Sequence, residues 1–334
     1  MKKLLYACLL LLLACADPKK ESQPIPPGGG GVLVVNEGNF TRGNASLSLI
    51  RNGQVIEDVF FSANQRRLGD VAQSVALLGK SAYVVVNNSG KIEVIDAQSF
   101  QSQATITGLR SPRYFLPVTD DKAYVTDLYA NAISIVSINQ GKIIGRIPCA
   151  GWTEKLIIKG KEVFVTNRYR SYVYVIDSEK DQITDSIQVS RNANSIVEDR
   201  NGNLWVLCGG VDGGLFLLNP IERRVIQKYA IVSDSDETPA ELSINKTKDT
   251  LYYLYQGVYR VSVSAEKLSN QPLIPQKKNQ TFYSLGVDPK NSQIYVGDAI
   301  NYDQKGVVYR YRTDASVIDS FRVGVIPGEF VFLP

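Results

Sequence analysis

The chain of 334 residues contains no histidine. That absence removes the Ser-His-Asp triad, His-ligated zinc and His-ligated haem together. It leaves carboxylate-bound calcium and catalysis by Asp, Glu or Tyr open, so it lowers the expectation of an enzyme without eliminating it. Cysteine is scarce as well, with four residues. Cys8 and Cys15 sit near the N-terminus, while Cys149 and Cys208 each end a hydrophobic strand in different repeats and read as buried small hydrophobes rather than a disulfide. An excess of charge of one sign is missing too. The formal net charge of +4 falls to about +2 once Lys2 and Lys3 of the N-terminal leader are set aside, too little for an electrostatic case for nucleic acid.

The apolar run Leu4 to Leu13 follows those two lysines and is too short for a permanent membrane-spanning helix. With Leu12-Leu13-Ala14-Cys15 behind it, the layout is that of a secretory signal. It resembles the bacterial lipobox, which implies cleavage before Cys15, acylation of its thiol, and a domain anchored to a membrane without crossing it. Residues 1–14 are thus expected to be a lipoprotein signal peptide. Residues 15–31 contain a charged stretch, Pro24-Ile25-Pro26-Pro27 and Gly28 to Gly31, and are expected to be a flexible tether. The expected location is the outer membrane, lipid-anchored and facing the cell exterior.

From Val32 onward one pattern dominates. Short apolar strands recur, beginning VLVVNEGNF at Val32, AYVVVNNSG at Ala82, AYVTDLYAN at Ala123, VFVTNRYRS at Val163, LWVLCGGVD at Leu204, LYYLYQGVY at Leu251 and IYVGDAINY at Ile294. Their second residues are Leu33, Tyr83, Tyr124, Phe164, Trp205, Tyr252 and Tyr295, spaced by 50, 41, 40, 41, 47 and 43 residues. A period of roughly 40–45 residues with four strands per unit signals propeller blades. Alternation such as Val173-Tyr174-Val175-Ile176 builds a sheet apolar on both faces, which only stacking between neighbouring blades can bury. The fold class is therefore all-β, a seven-bladed β-propeller over residues 32–334, and the repeated aromatic position is inter-blade core.

Six of the seven units are preceded by a further strand, and Val32 has none. The seventh copy lies at the other end, in Gly328-Glu329-Phe330-Val331-Phe332-Leu333, which resembles Pro112-Arg113-Tyr114-Phe115-Leu116-Pro117. The C-terminal strand is expected to pair with the N-terminal blade as its innermost strand, closing the ring and removing an exposed edge. Deleting residues 325–334 is then expected to unfold the ring.

Loops entering the innermost strands share one face with the loops between the second and third strands. That face gathers Arg113, Tyr114, Trp152, Asn194 and Tyr283 with Tyr129, Arg168, Tyr169 and Tyr302, a set suited to a large polar ligand or a protein partner. Isolated Asn residues in these loops read first as turn formers. The innermost strands also carry Glu154, Glu241 and Glu329, whose carboxylates would have to converge on the channel in a metal-dependent propeller enzyme. Asp199-Arg200-Asn201-Gly202-Asn203 has the opening cadence of a calcium loop but runs straight into a strand and reads as a hairpin turn. Asp234-Ser235-Asp236-Glu237 reads as a solvated loop.

The strings AYVTDLYANAISIVSI and VFVTNRYRSYVYVID resemble the repeat of the YVTN family of propellers, across essentially all of residues 32–333, with blades 5 to 7 departing from the motif. That resemblance speaks for fold and little for function. Val35-Asn36-Glu37-Gly38-Asn39-Phe40, Asn44-Ala45-Ser46-Leu47 and Leu68-Gly69-Asp70-Val71-Ala72-Gln73 resemble the DUF5074-type surface lipoproteins of Bacteroidetes. Some of those capture cobalamin and sit on a TonB-dependent outer-membrane transporter. The resemblance implies capture of a nutrient, a corrinoid or another cargo, and hand-over to a transporter. It implies no catalysis and no cofactor. It places Asn36, Glu37, Asn39 and Asn44 in a loop on the ligand face, with Asp70 and Gln73 entering an innermost strand there. The alternatives are a lactonase- or quinoprotein-like propeller enzyme and an adhesive or scaffolding propeller that binds a protein or glycan.

Overall fold

The computed structural model describes Ile25, residues 29–231 and residues 238–334. Cys15, the rest of the leader and the whole acidic stretch Asp234-Ser235-Asp236-Glu237 lie outside the described residues. Within them the chain forms seven four-stranded antiparallel sheets, the blades of a closed ring. Blade 1 is made of Gly31–Asn36, Ser46–Arg51, Gln54–Ile56 and, as its innermost strand, Pro327–Leu333. Blades 2 to 7 run in chain order from Ala72–Leu78, Pro112–Pro117, Thr153–Lys159, Ala193–Glu198, Ala240–Ile244 and Phe282–Val287, each of which is the innermost strand.

The closure expected from the sequence is present. Gly31 pairs with Leu333, Val32 with Phe332 and Leu33 with Val331. Tyr295 of blade 7 packs against Phe330 and Phe332, with ring centroids 5.8 and 5.3 Å away. The Ser284 hydroxyl donates to the Pro327 carbonyl at 2.6 Å. The last strand is thereby fixed both to its own blade and to its neighbour.

The core consists of seven apolar clusters, one at each interface between adjacent blades. Tyr83, Val85 and Ile92 of blade 2 meet Phe115, Ala123 and Val125 of blade 3, for example, and Tyr83 stacks on Phe115 at 4.4 Å. All seven residues at the repeated aromatic position are buried. Burying each such side chain stabilises the ring by about 1.5–3 kcal/mol, so each blade draws stability from its neighbour. Cys149 and Cys208 are buried free thiols in two of these clusters, and burial pushes both pKa values up to about 12. The Asp199 turn is a hairpin. Its carboxylate accepts from the backbone N–H groups of Asn201 and Asn203 and, at 2.8 Å, from the buried indole of Trp205.

Two features were not legible in advance. A short helix, Val59–Asn64, follows blade 1, capped by Asp58 and anchored by buried Val59 and Phe60. The segment before the first strand also makes contacts, since Ile25 packs on the core between blades 1 and 2 and the Gly30 carbonyl accepts from Arg51 Nε at 2.9 Å.

Candidate functional site

A β-bulge places extra residues on one strand and re-aims the side chains it displaces. Every innermost strand has one near its entry end. Gln73, Asn194, Tyr283 and Gly328 are single insertions. Arg113-Tyr114, Glu154-Lys155 and Glu241-Leu242 are pairs facing a single partner residue. Glu241 has the left-handed φ of 57° that such a kink can impose. The seven bulges form one ring at the channel mouth and deliver most of the polar side chains found there.

Those side chains surround a pocket of about 180 Å³, lined by Glu37, Gln73, Arg113, Tyr114, Glu154, Arg168, Asn194, Ala240, Glu241, Tyr283 and Gly328. Arg113 grips Glu154 with a two-pronged fork, Nη2 to Oε1 at 2.7 Å and Nε to Oε2 at 2.9 Å, and its third nitrogen donates to Gln73. Trp152 Nε1 also donates to Glu154. Lys155 lies 3.5 Å from Glu241 and over the Tyr114 ring. Blade 1 departs from the pattern, because its bulged residue is a glycine. A Cβ on Gly328 would stand 2.7 Å from Glu37 Cγ and Oε1. The missing side chain makes room for Glu37, which reaches in from the loop between the second and third strands and accepts from Tyr283 OH at 2.9 Å.

Glu37 and Glu329 are carboxylates buried at the channel mouth. Burial pushes each up to about 7 from an ordinary 4.5. Tyr283 and Arg113 counter it for Glu37, and Lys155 and the Val75 N–H counter it for Glu329. For Lys155, burial opposes the charge, but Glu241, Tyr114, Glu329 and Glu154 outweigh it and hold the ammonium above its usual range. The folded protein therefore keeps protons on Glu37 and Glu329 that the unfolded chain releases between about pH 4.5 and 7. Stability from these groups is complete below pH 4.5 and falls as the pH rises through 7. Thermal melts between pH 5 and 8 should show that decline, and Glu329→Gln should flatten it. A variant with an unchanged slope would mean that Glu329 titrates normally.

The residues singled out in the sequence divide into three groups. Gln73, Arg113, Tyr114, Asn194, Arg168, Tyr283 and Glu37 line the pocket. Trp152 stands beside it, with Tyr169 edge-on at 5.8 Å. Tyr129, Tyr169 and Tyr302 are 54, 52 and 46% exposed and, with Phe40 at 68%, form a rim of aromatic surface on the loops of four blades. The third group spends its polar atoms inside the protein. Asn36 is fully buried and donates to Ser46 and Ser48. Asn39 and Asn44 bond to each other, and Asn39 also donates to the Tyr302 carbonyl. Asp70 accepts from the Thr41 N–H and from Asn88, which ties two loops together. Of the N-terminal motif, Glu37 and Gln73 reach the pocket and the others hold the shape of the rim.

The Asn or Asp that closes the second strand of several blades follows the same logic. Asp127 accepts from Tyr129 N and Ala130 N, Asn167 from Tyr169 N and Arg170 N, and Asp298 from Ile300 N. The turn reading of these residues holds, and each turn presents a rim residue. Among the described residues no three His, Cys, Asp or Glu side chains converge closely enough to hold a metal ion. Glu154 and Glu241 are paired with cations, and Glu329 accepts from the Val75 N–H at 2.7 Å. The pairing of Glu154 and Glu241 with Arg113 and Lys155 escaped sequence reading. The available signal was a charged residue at the start of each of those inward strands.

The DUF5074 family model, described as a domain of unknown function, matches residues 30–320, and the chain belongs to that family. No curated protein matches it by sequence. Among solved structures it is similar to a quinoprotein alcohol dehydrogenase-like protein from Bacteroides thetaiotaomicron, with a TM-score of 0.72, 14% identity, and 90% of this chain and 78% of that one covered. It is also similar to a candidate 6-phosphogluconolactonase from Bacteroides fragilis, with a TM-score of 0.67, 12% identity and 93% and 99% coverage. Hydrazine synthase from Kuenenia stuttgartiensis aligns with a TM-score of 0.60, 13% identity and 75% and 85% coverage. At these identities the likeness establishes the propeller fold alone.

Proposed function

We propose that this protein is a surface lipoprotein that captures a nutrient on the channel-mouth face and passes it, chemically unchanged, to a TonB-dependent outer-membrane transporter. The observation that carries the reading is the convergence on one face of a polar pocket and an exposed aromatic rim formed by Phe40, Tyr129, Tyr169 and Tyr302. Exposed aromatic side chains gathered on the loops of one face offer a surface for docking. The pocket, at about 180 Å³, is smaller than the roughly 300–1,000 Å³ that encloses a drug-sized ligand. A large ligand therefore lies across the mouth, resting on the rim and lowering one polar arm into the pocket. A corrinoid, broad and fringed with amides, suits that geometry. The ion pairs that occupy Glu154 and Glu241 favour binding over catalysis.

Titrating the full chain in detergent with cobalamin, followed by calorimetry and visible absorbance, tests the corrinoid version. Micromolar or tighter binding that weakens at least tenfold in a Tyr129→Ala/Tyr169→Ala double variant is the expected result. No binding at micromolar ligand removes the corrinoid and returns the question to other large polar nutrients.

A further inference from the structure

The cations around the channel mouth are not equally satisfied. Arg113 has the full fork to Glu154, and Lys155 has Glu241. Arg168 lines the same pocket without a carboxylate. Its guanidinium lies over the Trp152 ring at 4.2 Å, and its Nε donates to Asn192 Oδ1 at 2.7 Å. The backbone on both sides is also pinned. The Arg168 N–H donates to the Trp152 carbonyl at 2.8 Å, and the Asn192 N–H donates to the Arg168 carbonyl at 2.9 Å. Stacking and the Nε bond together fix the plane of the guanidinium and leave the Nη1/Nη2 edge with no partner among the described residues.

The charge count around Trp152 points the same way. Two guanidiniums lie over one indole, Arg113 at 5.2 Å and Arg168 at 4.2 Å, while a single carboxylate, Glu154, serves that group and is committed to Arg113 and the indole N–H. The indole arrangement therefore lacks one anion. A planar fork whose side-chain entropy is already lost recognises an oxyanion with two parallel N–H···O bonds.

We propose that Arg168, held by Trp152 and Asn192, is the anchor for an oxyanion, a phosphate ester or a carboxylate, carried by the captured ligand. The inference rests on the capture reading and adds the polarity of the ligand's arm. Glu37, Glu241 and Glu329 also face the channel and bear on any pH dependence. Together with Tyr114, Tyr283, Lys155 and the Arg113–Glu154 pair, they make up the titratable and charged surroundings. As Glu37 and Glu329 lose protons near pH 7 the channel becomes more negative, so affinity for acetate, whose own charge is constant in this range, should fall as the pH rises from 6 to 8.

Tryptophan fluorescence reads the site, because Trp205, the other tryptophan, is fully buried in a blade interface. The full chain in detergent is titrated with methyl phosphate, acetate and, as an ionic-strength control, chloride. Saturable change with methyl phosphate or acetate, absent with chloride and weakened at least tenfold in Arg168→Gln, is the expected result. The methyl phosphate and acetate arms decide between phosphate ester and carboxylate. A response equal for chloride, or unchanged in Arg168→Gln, overturns the anchor. An Arg168→Lys variant that keeps the charge and loses the stacked fork should recover less than half of the affinity. Full recovery would show that a point charge suffices and would overturn the fork. Cobalamin or another nutrient binding with the same affinity to wild type and Arg168→Gln would overturn the anchor while leaving capture standing. Saturable anion binding at Arg168 without nutrient binding would do the reverse.

Discussion

A chain that stops after Gly324 is expected to lose its cooperative thermal transition and its near-ultraviolet dichroism together. The truncation removes the whole innermost strand of blade 1, six paired positions from Gly31 to Asn36, along with the buried side chains Phe330 and Leu333. Backbone bonds contribute about 1 kcal/mol each and buried Phe or Leu about 2–5 kcal/mol each. The loss is therefore about as large as the whole stability of a typical domain, 5–15 kcal/mol. It also strips the carbonyls of Val325 and Ile326 that accept from Gly38 N and Glu37 N, and Glu329 Oε2 that accepts from Val75 N. Blades 1, 2 and 7 then lose their common partner. A permutant separates loss of the strand from a mere requirement for the chain end. The Pro334 carbonyl lies 3.5 Å from where a Cβ on Gly29 would stand, so residues 325–334 can be joined directly ahead of Gly29. That permutant should regain the cooperative transition. A truncated chain that melts within a few degrees of wild type would show that six blades and a partial seventh suffice.

The closure was legible in the sequence because it depends on counting. Seven copies of the second strand against six copies of the strand before it leave one strand missing and one to spare. The inter-blade core was legible because alternation at Val173-Tyr174-Val175-Ile176 and the aromatic of each repeat are one-dimensional signals. The pocket was less legible, for a physical reason. A bulge is a change of register, and nothing in Glu154-Lys155 or Glu241-Leu242 announces that two residues will face one. Pairings such as Arg113 with Glu154 join residues 41 positions apart on neighbouring blades, so they arise only when the blades pack side by side. The motif at Asn36, Asn39, Asn44 and Asp70 shows the opposite limit. Its residues are hydrogen-bonding types suited equally to a ligand or a loop, and only coordinates reveal that their partners lie within the protein. Gly328 could be read as a strand residue but not as the gap that admits Glu37.

Replacing Arg113 with Met should destabilise the ring by about 3–5 kcal/mol, the usual consequence of stranding one member of a buried ion pair. Arg113 donates to both oxygens of Glu154 and to Gln73, lies over Trp152, and is a cation that offsets the buried charge of Glu37. Methionine keeps much of the volume and none of the charge. Glu154 is then left buried with the Trp152 N–H as its remaining donor, and Glu37 is pushed further above its already raised value of about 7. Protonation of Glu37 relieves its part of that cost, so the deficit should be largest at pH 8 and shrink towards pH 5. An Arg113→Met/Glu154→Leu double variant should recover most of the loss, because it removes the stranded charge together with its partner. Melts of wild type, both single variants and the double variant at pH 5 and 8 complete the cycle. A single-variant deficit below about 1 kcal/mol, or one that ignores pH, would mean that water reaches Glu154 and that the pair is not what organises the mouth. The expected outcome makes the same pair the rigid floor of the proposed capture face. The double variant should then be stable yet weaker in ligand binding, since Trp152 loses the contact with Arg113 and the bond to Glu154 that orient it beneath Arg168.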